Sequence, residues 1–238
     1  MRKITINLAA VAAFCIVVAS PALVSSSCAT PKTEQEDTTI IREDSGITAL
    51  KYSSPEVPAS IEFCGKTIDL SRFDRHERMD RELLAFTYMH STSLQMLKKA
   101  NRYFPIVEPI LKENGIPDDF KYLMVIESNM NPTARSSAGA AGLWQFMQGT
   151  GRDYGLEVNN NVDERYHIEK ATRAACRYLK DAYAKYKDWV AVAASYNAGQ
   201  ARIASQLAKQ DVDDSLDLQL VEETARYVYR ILAAKQLF

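Results

Sequence analysis

The sequence predicts an all-helical globule of short, unequal helices. Apolar residues recur at helical spacing from about His76 to the carboxyl terminus, strand-like alternation is confined to one short segment near Ile61, and Pro and Asn-Gly signals bracket the helices at irregular intervals. Helices so different in length do not make a regular bundle. A chain of 238 residues, 47% apolar and 25% charged, is ample for one core and short for two, so one domain with an appendage is expected.

At the amino terminus, Arg2 and Lys3 precede an apolar run over residues 4–24, interrupted by Thr5, Asn7, Ser20 and Pro21. This is the pattern of an export signal, expected over residues 1–27. Pro21 and the small residues after it favour cleavage or lipid attachment over a spanning anchor. The run Val24-Ser25-Ser26-Ser27-Cys28 resembles the box at which bacterial lipoproteins are cut before a lipidated cysteine, although Ser25 stands where Leu is commonest. Cys28 is therefore the expected lipid site and membrane attachment point; a conventional cleavage site beside an ordinary cysteine is the alternative. Residues 28–58, rich in Thr, Ser, Glu and Pro, read as a flexible tether. Of 29 Lys and Arg, Arg2 and Lys3 fall in the signal, so 27 remain against 30 Asp and Glu, a net charge of −3. Nothing in this balance suggests a nucleic-acid partner, which would call for a concentrated basic face, and none is expected.

Ile61, Phe63, Ile68 and Leu70 around Gly65-Lys66 can form a small peripheral hairpin. From His76 to about Arg102 the spacing predicts a long helix or a broken pair, and residues 59–102 are read as an N-terminal helical extension ahead of a main domain over 103–238. Pro105 and Pro109 are expected to start the next helix, Asn114-Gly115 to end it, and Pro117-Asp118-Asp119 to open another. The remainder predicts helices over about 168–187, 189–197, 201–208 and 221–237.

The helix opened at Asp118-Asp119 carries the first candidate site. Phe120, Leu123, Met124 and Glu127 share one helical stripe, so a carboxylate stands where an apolar side chain would be buried. Taking it out of water raises its pKa and suits it to general acid chemistry near neutral pH. On spacing alone, a Glu satisfied by a cap or an Arg fits equally. Pro132 stops the helix, and five of the nine glycines follow at Gly139, Gly142, Gly149, Gly151 and Gly155, flanking Leu143-Trp144-Gln145-Phe146-Met147. Trp144 either stacks on a sugar or seals the core, and Gln145 offers donor and acceptors. Tyr196 closes a second stripe with Trp189, Val192 and Ala193, and needs a partner for its hydroxyl. His76, His90 and His167 show no ligand spacing, Cys64 and Cys176 no zinc pairing, and the glycines over 149–155 miss the dinucleotide fingerprint, so no metal or cofactor is expected.

Glu127-Ser128, Gly142-Leu143-Trp144-Gln145, Ser195-Tyr196-Asn197-Ala198-Gly199 and Glu223-Thr224 with Tyr227-Val228 stand in the order and spacing of the lytic murein transglycosylase family, which is lysozyme-like with a single catalytic Glu. The resemblance covers about residues 103–237, and the stretch over 142–165 most resembles the membrane-bound D-type members. Gln148, Ser195 and His167-Ile168 depart from the usual Pro, Ala and Asp-Pro. The resemblance implies a lysozyme-like globule in the periplasm, lipid-anchored to the outer membrane, acting on peptidoglycan glycan strands. It implies that Glu127 cuts the bond between N-acetylmuramic acid and N-acetylglucosamine without water, as acid and then base. It further implies that Ser136 lies near the substrate acetamido group, that Gln145 and Met147 belong to the cleft, and that Tyr196 and Tyr227 position Glu127 and the sugar, with Asn197 a further candidate. A goose-type lysozyme acting on the same bond with water, and a silent peptidoglycan-binding scaffold, are the alternatives.

Overall fold

The computed structural model describes residues 55–212 and 214–238. The expected signal, Cys28 and all but the end of the expected tether lie outside the described residues.

The described residues open with β1 (Ser60–Phe63) and β2 (Lys66–Asp69), an antiparallel pair with Ile61 opposite Ile68, turning through Cys64 and Gly65 at positive φ. Alternation puts Phe63, Ile68 and Leu70 on one face, and that face is buried. The hairpin sits at the edge of the helical body but contributes to its core: Phe63 meets Phe120 at 6.0 Å between ring centres, and the Cys64 N–H donates to Asp119 at 2.6 Å.

Then come α1 (Phe73–Tyr88) and α2 (His90–Glu113), the broken pair that the spacing allowed. The expected break ahead of Pro105 does not occur; both prolines lie inside α2. Each removes one N–H and orphans the carbonyl four residues back. Pro105 and Pro109 are themselves four apart and both exposed, so those carbonyls fall on the watered face, while Tyr103, Val107, Ile110 and Leu111 hold the opposite face in the core. Packing of that buried stripe on α5 outweighs the lost hydrogen bonds.

After α3 (Phe120–Ser128) and the short α4 (Gln148–Asp153), α5 (Ile168–Tyr186), α6 (Trp189–Ala198), α7 (Gln200–Lys209) and α8 (Glu222–Leu237) follow, each within two residues of its predicted bounds. The helix α6 is the inner one: residues 190–195 are all buried, and Asp188 caps it by accepting from the Val190 N–H at 2.9 Å. Its alanines let neighbours approach closely. The helix α8 packs against α1, α3 and α6, and so joins the amino-terminal helices to the site. That junction is partly ionic: Glu82, 1% exposed on α1, accepts from Arg226 on α8 at 2.6 Å. A buried carboxylate without such a partner would cost several kcal/mol. Among the described residues no helix is long and apolar enough to cross a membrane.

Candidate active site

Glu127 stands in the last turn of α3, on the stripe with Phe120, Leu123 and Met124, all three fully buried. The helix ends immediately after it because Asn129 and Met130 both turn left-handed, at φ 49° and 58°. Asn tolerates that conformation; for a fully buried Met it is a strain that the surrounding packing must hold. The abrupt stop leaves the carboxylate at the helix end, facing the loop that follows, and not covered by another turn.

The loop from Ala134 to Met147 is knitted by its own backbone, with isolated bridges from Ala141 to both Arg135 and Phe146. Gly142 is obligatory there: it has φ +79°, and a Cβ on it would lie 1.9 Å from the Arg165 carbonyl oxygen. Arg165 is 4% exposed; it donates to the Gly139 carbonyl at 2.8 Å and the Phe146 carbonyl at 3.0 Å, with Asp163 balancing its charge at 2.7 Å. One guanidinium thus fastens both limbs of the loop. Trp144 seals the core: it is fully buried, and its indole N–H donates to Thr172 at 2.9 Å. It is therefore unavailable to stack on a sugar.

Glu127 is half-buried, and its carboxylate accepts a short hydrogen bond from the Tyr227 hydroxyl on α8. Burial raises its pKa from 4.5 to about 7; the Tyr227 bond and Arg230 pull it down, and Glu223 in the first turn of α8 pushes it up. Glu223, Tyr227 and Arg230 recur every three or four residues, so one stripe of α8 supplies all three influences. Burial, then the Glu127 charge, hold the Tyr227 phenol well above its ordinary range, so it remains a donor. Between about pH 4.5 and 7 Glu127 stays a carboxylic acid in the fold where an exposed Glu would be ionised.

Tyr196 does not touch the carboxylate by hydrogen bond, as the resemblance had implied for a positioning tyrosine. Its hydroxyl donates to the Trp144 carbonyl at 2.7 Å and so braces the loop. After burial, the Glu127 charge raises the Tyr196 pKa; Glu127 itself is not among the residues that line the hollow at Tyr196. That hollow, about 290 Å³, gathers Gln145, Met147, Tyr196 and Asn197 with Phe146, Thr150 and Tyr178. Gln145, at φ 48°, spends its amide N–H bonds on the carbonyls of Gly142 at 2.8 Å and Ala134 at 3.2 Å, leaving its oxygen to accept. Met147 is 46% exposed at the rim. Asn197 accepts from Thr224 at 2.9 Å, joining α6 to α8. Ser136 lies outside the lining; its hydroxyl accepts from the Ala140 N–H at 3.0 Å and closes its own turn. A larger hollow, about 930 Å³ along Pro105, Glu108, Pro117 and Trp189, contains none of these residues.

Sequence reasoning missed Arg165, Thr172 and Arg230, and gave Thr224 no role. Only Asp163, two residues before Arg165, hinted that this arginine was paired.

Residues 105–217 match the family model described as the transglycosylase SLT domain. The chain belongs to the SLT domain family. Membrane-bound lytic murein transglycosylase D of Escherichia coli is 30% identical over 166 residues, 68% of this chain and 36% of that protein. Peptidoglycan transglycosylase gp16 of Escherichia phage T7 is 31% identical over 50% of this chain and 9% of that protein. Membrane-bound lytic murein transglycosylase C of Haemophilus ducreyi is 29% identical over 57% of this chain and 40% of that protein. The chain thus spans about a third of the length of its D-type relative. Among solved structures, lytic transglycosylase Slt of Pseudomonas aeruginosa aligns with a TM-score of 0.47 at 23% identity, covering 55% of this chain and 22% of that one. The SLT domain match starts inside α2 and contains Glu127, Gln145, Tyr196 and Asn197; Tyr227, which binds the carboxylate, lies beyond its end.

Proposed function

We propose that the chain is a lytic transglycosylase that cleaves peptidoglycan glycan strands between N-acetylmuramic acid and N-acetylglucosamine without water. The observation that carries this is the Glu127 carboxyl, raised by burial to a pKa of about 7 and held in place by Tyr227. As the acid, Glu127 protonates the glycosidic oxygen, and the bond to the muramyl C1 breaks as the leaving sugar takes that proton. As the carboxylate it then removes the proton of the muramyl C6 hydroxyl, whose oxygen bonds to C1 and closes a 1,6-anhydro ring. The Tyr227 donor steadies the anion between the two steps. The substrate's own acetamido group supplies the charge stabilisation that a second enzyme carboxylate gives other glycosidases.

A binding scaffold gains nothing from a carboxyl held at so raised a pKa, which disfavours the silent alternative. Hydrolysis as in a goose-type lysozyme draws on one observation, the second carboxylate Glu223 that acts on Glu127 from α8. The tethered hydroxyl nevertheless has the advantage, since it needs no capture of water.

Export and lipid attachment at Cys28 complete the reading, supported by the apolar amino-terminal run and by relatives named as membrane-bound. A mature protein that does not begin with a lipidated Cys28 contradicts that part. The catalytic assignment is tested by Glu127→Gln: the variant keeps the fold and releases no muropeptides from purified sacculi, whereas turnover near the wild-type rate moves the acid's role to another residue.

A further inference from the structure

Past the hollow at Tyr196 the surface dips a second time. This concavity, about 290 Å³, is lined by Arg202, Gln206, Gln219 and Thr224, and it shares Ala198 with the first. The bond between Asn197 and Thr224 forms the wall between them, and Thr224 stands one turn before Tyr227 on α8. A ligand lying in the first hollow along Asn197 therefore continues toward Arg202.

The second hollow is preformed. The Gln210 side chain accepts from the Gln219 N–H at 2.8 Å, and its amide nitrogen donates to the Gln219 carbonyl at 3.1 Å and to Gln206 Oε1 at 2.8 Å. The loop ahead of α8 is thereby pinned to α7, and the Gln206 amide nitrogen is left to donate. Arg202 is exposed at the rim, and among the described residues no hydrogen bond or ion pair uses its guanidinium. Nearby, Arg81 is engaged with Glu222 at 2.7 Å and Arg226 with Glu82. An unspent guanidinium fork over a fixed hollow with amide donors is suited to a carboxylate, which it binds through paired charge-assisted hydrogen bonds.

We propose that Arg202 binds a carboxylate carried by the muramic acid residue, either on its lactyl group or on the peptide attached there, and so sets which glycan the cleft accepts. The proposal rests on the glycan-cleaving reading above. It is tested by binding, so that it does not depend on turnover. Glu127→Gln protein is titrated calorimetrically with two probes, a tetrasaccharide bearing stem peptides and the same glycan after amidase digestion, which leaves lactyl carboxylates only.

Adding Arg202→Ala is expected to weaken binding about tenfold or more, the usual scale for a charge-assisted hydrogen bond. Adding Arg202→Lys instead restores part of that loss, and the melting temperature stays unchanged. A loss confined to the peptide-bearing probe, whose lactyl groups are amides, identifies the stem peptide as the carboxylate source; a loss confined to the digested probe identifies the freed lactyl carboxylate; an equal loss with both means that Arg202 binds a group common to the two glycans and overturns the proposal. Unchanged affinity for both probes overturns the proposal, as does equal weakening by Ala and Lys. Wild-type protein that binds through Arg202 yet makes no anhydro product sinks the transglycosylase reading alone. Normal anhydro product with Arg202-independent binding sinks this inference alone.

Discussion

Replacing Glu127 by Gln should stabilise the protein, and by an amount that depends on pH. The folded-state pKa of about 7 exceeds the ordinary 4.5, so between those values the native state binds more protons than the unfolded chain. Stability therefore falls as pH rises from 4.5 through 7 and levels off above. The gap of about 2.5 units, at about 1.4 kcal/mol each, corresponds to roughly 3 kcal/mol lost by pH 8. Gln keeps the shape and can accept the Tyr227 hydrogen bond, but carries no charge to desolvate. For a domain of this size roughly 3 kcal/mol corresponds to about 6–12 °C in melting temperature. Calorimetric melting of both proteins at pH 4.5 and pH 8 is the assay. The variant should melt close to wild type at pH 4.5 and clearly higher at pH 8. An equal difference at both pH values, or a less stable variant at pH 8, would refute the reasoning.

Tyr227→Phe removes the donor that lowers the Glu127 pKa, so the alkaline fall of kcat/KM, where the general acid is lost, should move up by about one to two units along with a reduced maximum; a limb that stays put or moves down contradicts the assigned hydrogen bond. Gly142→Ala places a Cβ at 1.9 Å from the Arg165 carbonyl in a backbone that disfavours side chains, and should cost about 3 kcal/mol or more by urea unfolding; a loss under about 1 kcal/mol would mean that the loop is not fixed as described.

The elements of this fold were legible wherever periodicity and capping agreed, as over α5 to α8, whose bounds rest on buried stripes and on stops such as Lys187 and Gly199. They were misread at Pro105 and Pro109, where the local rule against proline in a helix is overridden by packing of the opposite face, a tertiary fact that local sequence does not carry. Glu127 was legible because a carboxylate interrupting an apolar stripe is a local signal. Its partner was not. Tyr196 closes a buried stripe near the end of α6 and Tyr227 lies on one near the start of α8, and only the packing of α8 on α3 decides that Tyr227 reaches the carboxylate while Tyr196 turns to the Trp144 carbonyl. Trp144 stood between two readings until Thr172, 28 residues on, was seen to take its N–H. Arg165 was invisible for the same reason: what makes it matter is the pair of carbonyls at Gly139 and Phe146, which only the folded loop brings together.

The central claim is that a sugar hydroxyl, not water, captures the muramyl C1 under the control of one carboxyl group. It is tested most directly by digesting purified peptidoglycan in ¹⁸O-labelled water and analysing the released muropeptides by mass spectrometry. The account predicts 1,6-anhydromuramyl ends with no labelled oxygen and no new reducing ends. Reducing muramic acid carrying the label as the main product would contradict it and leave a hydrolase in its place.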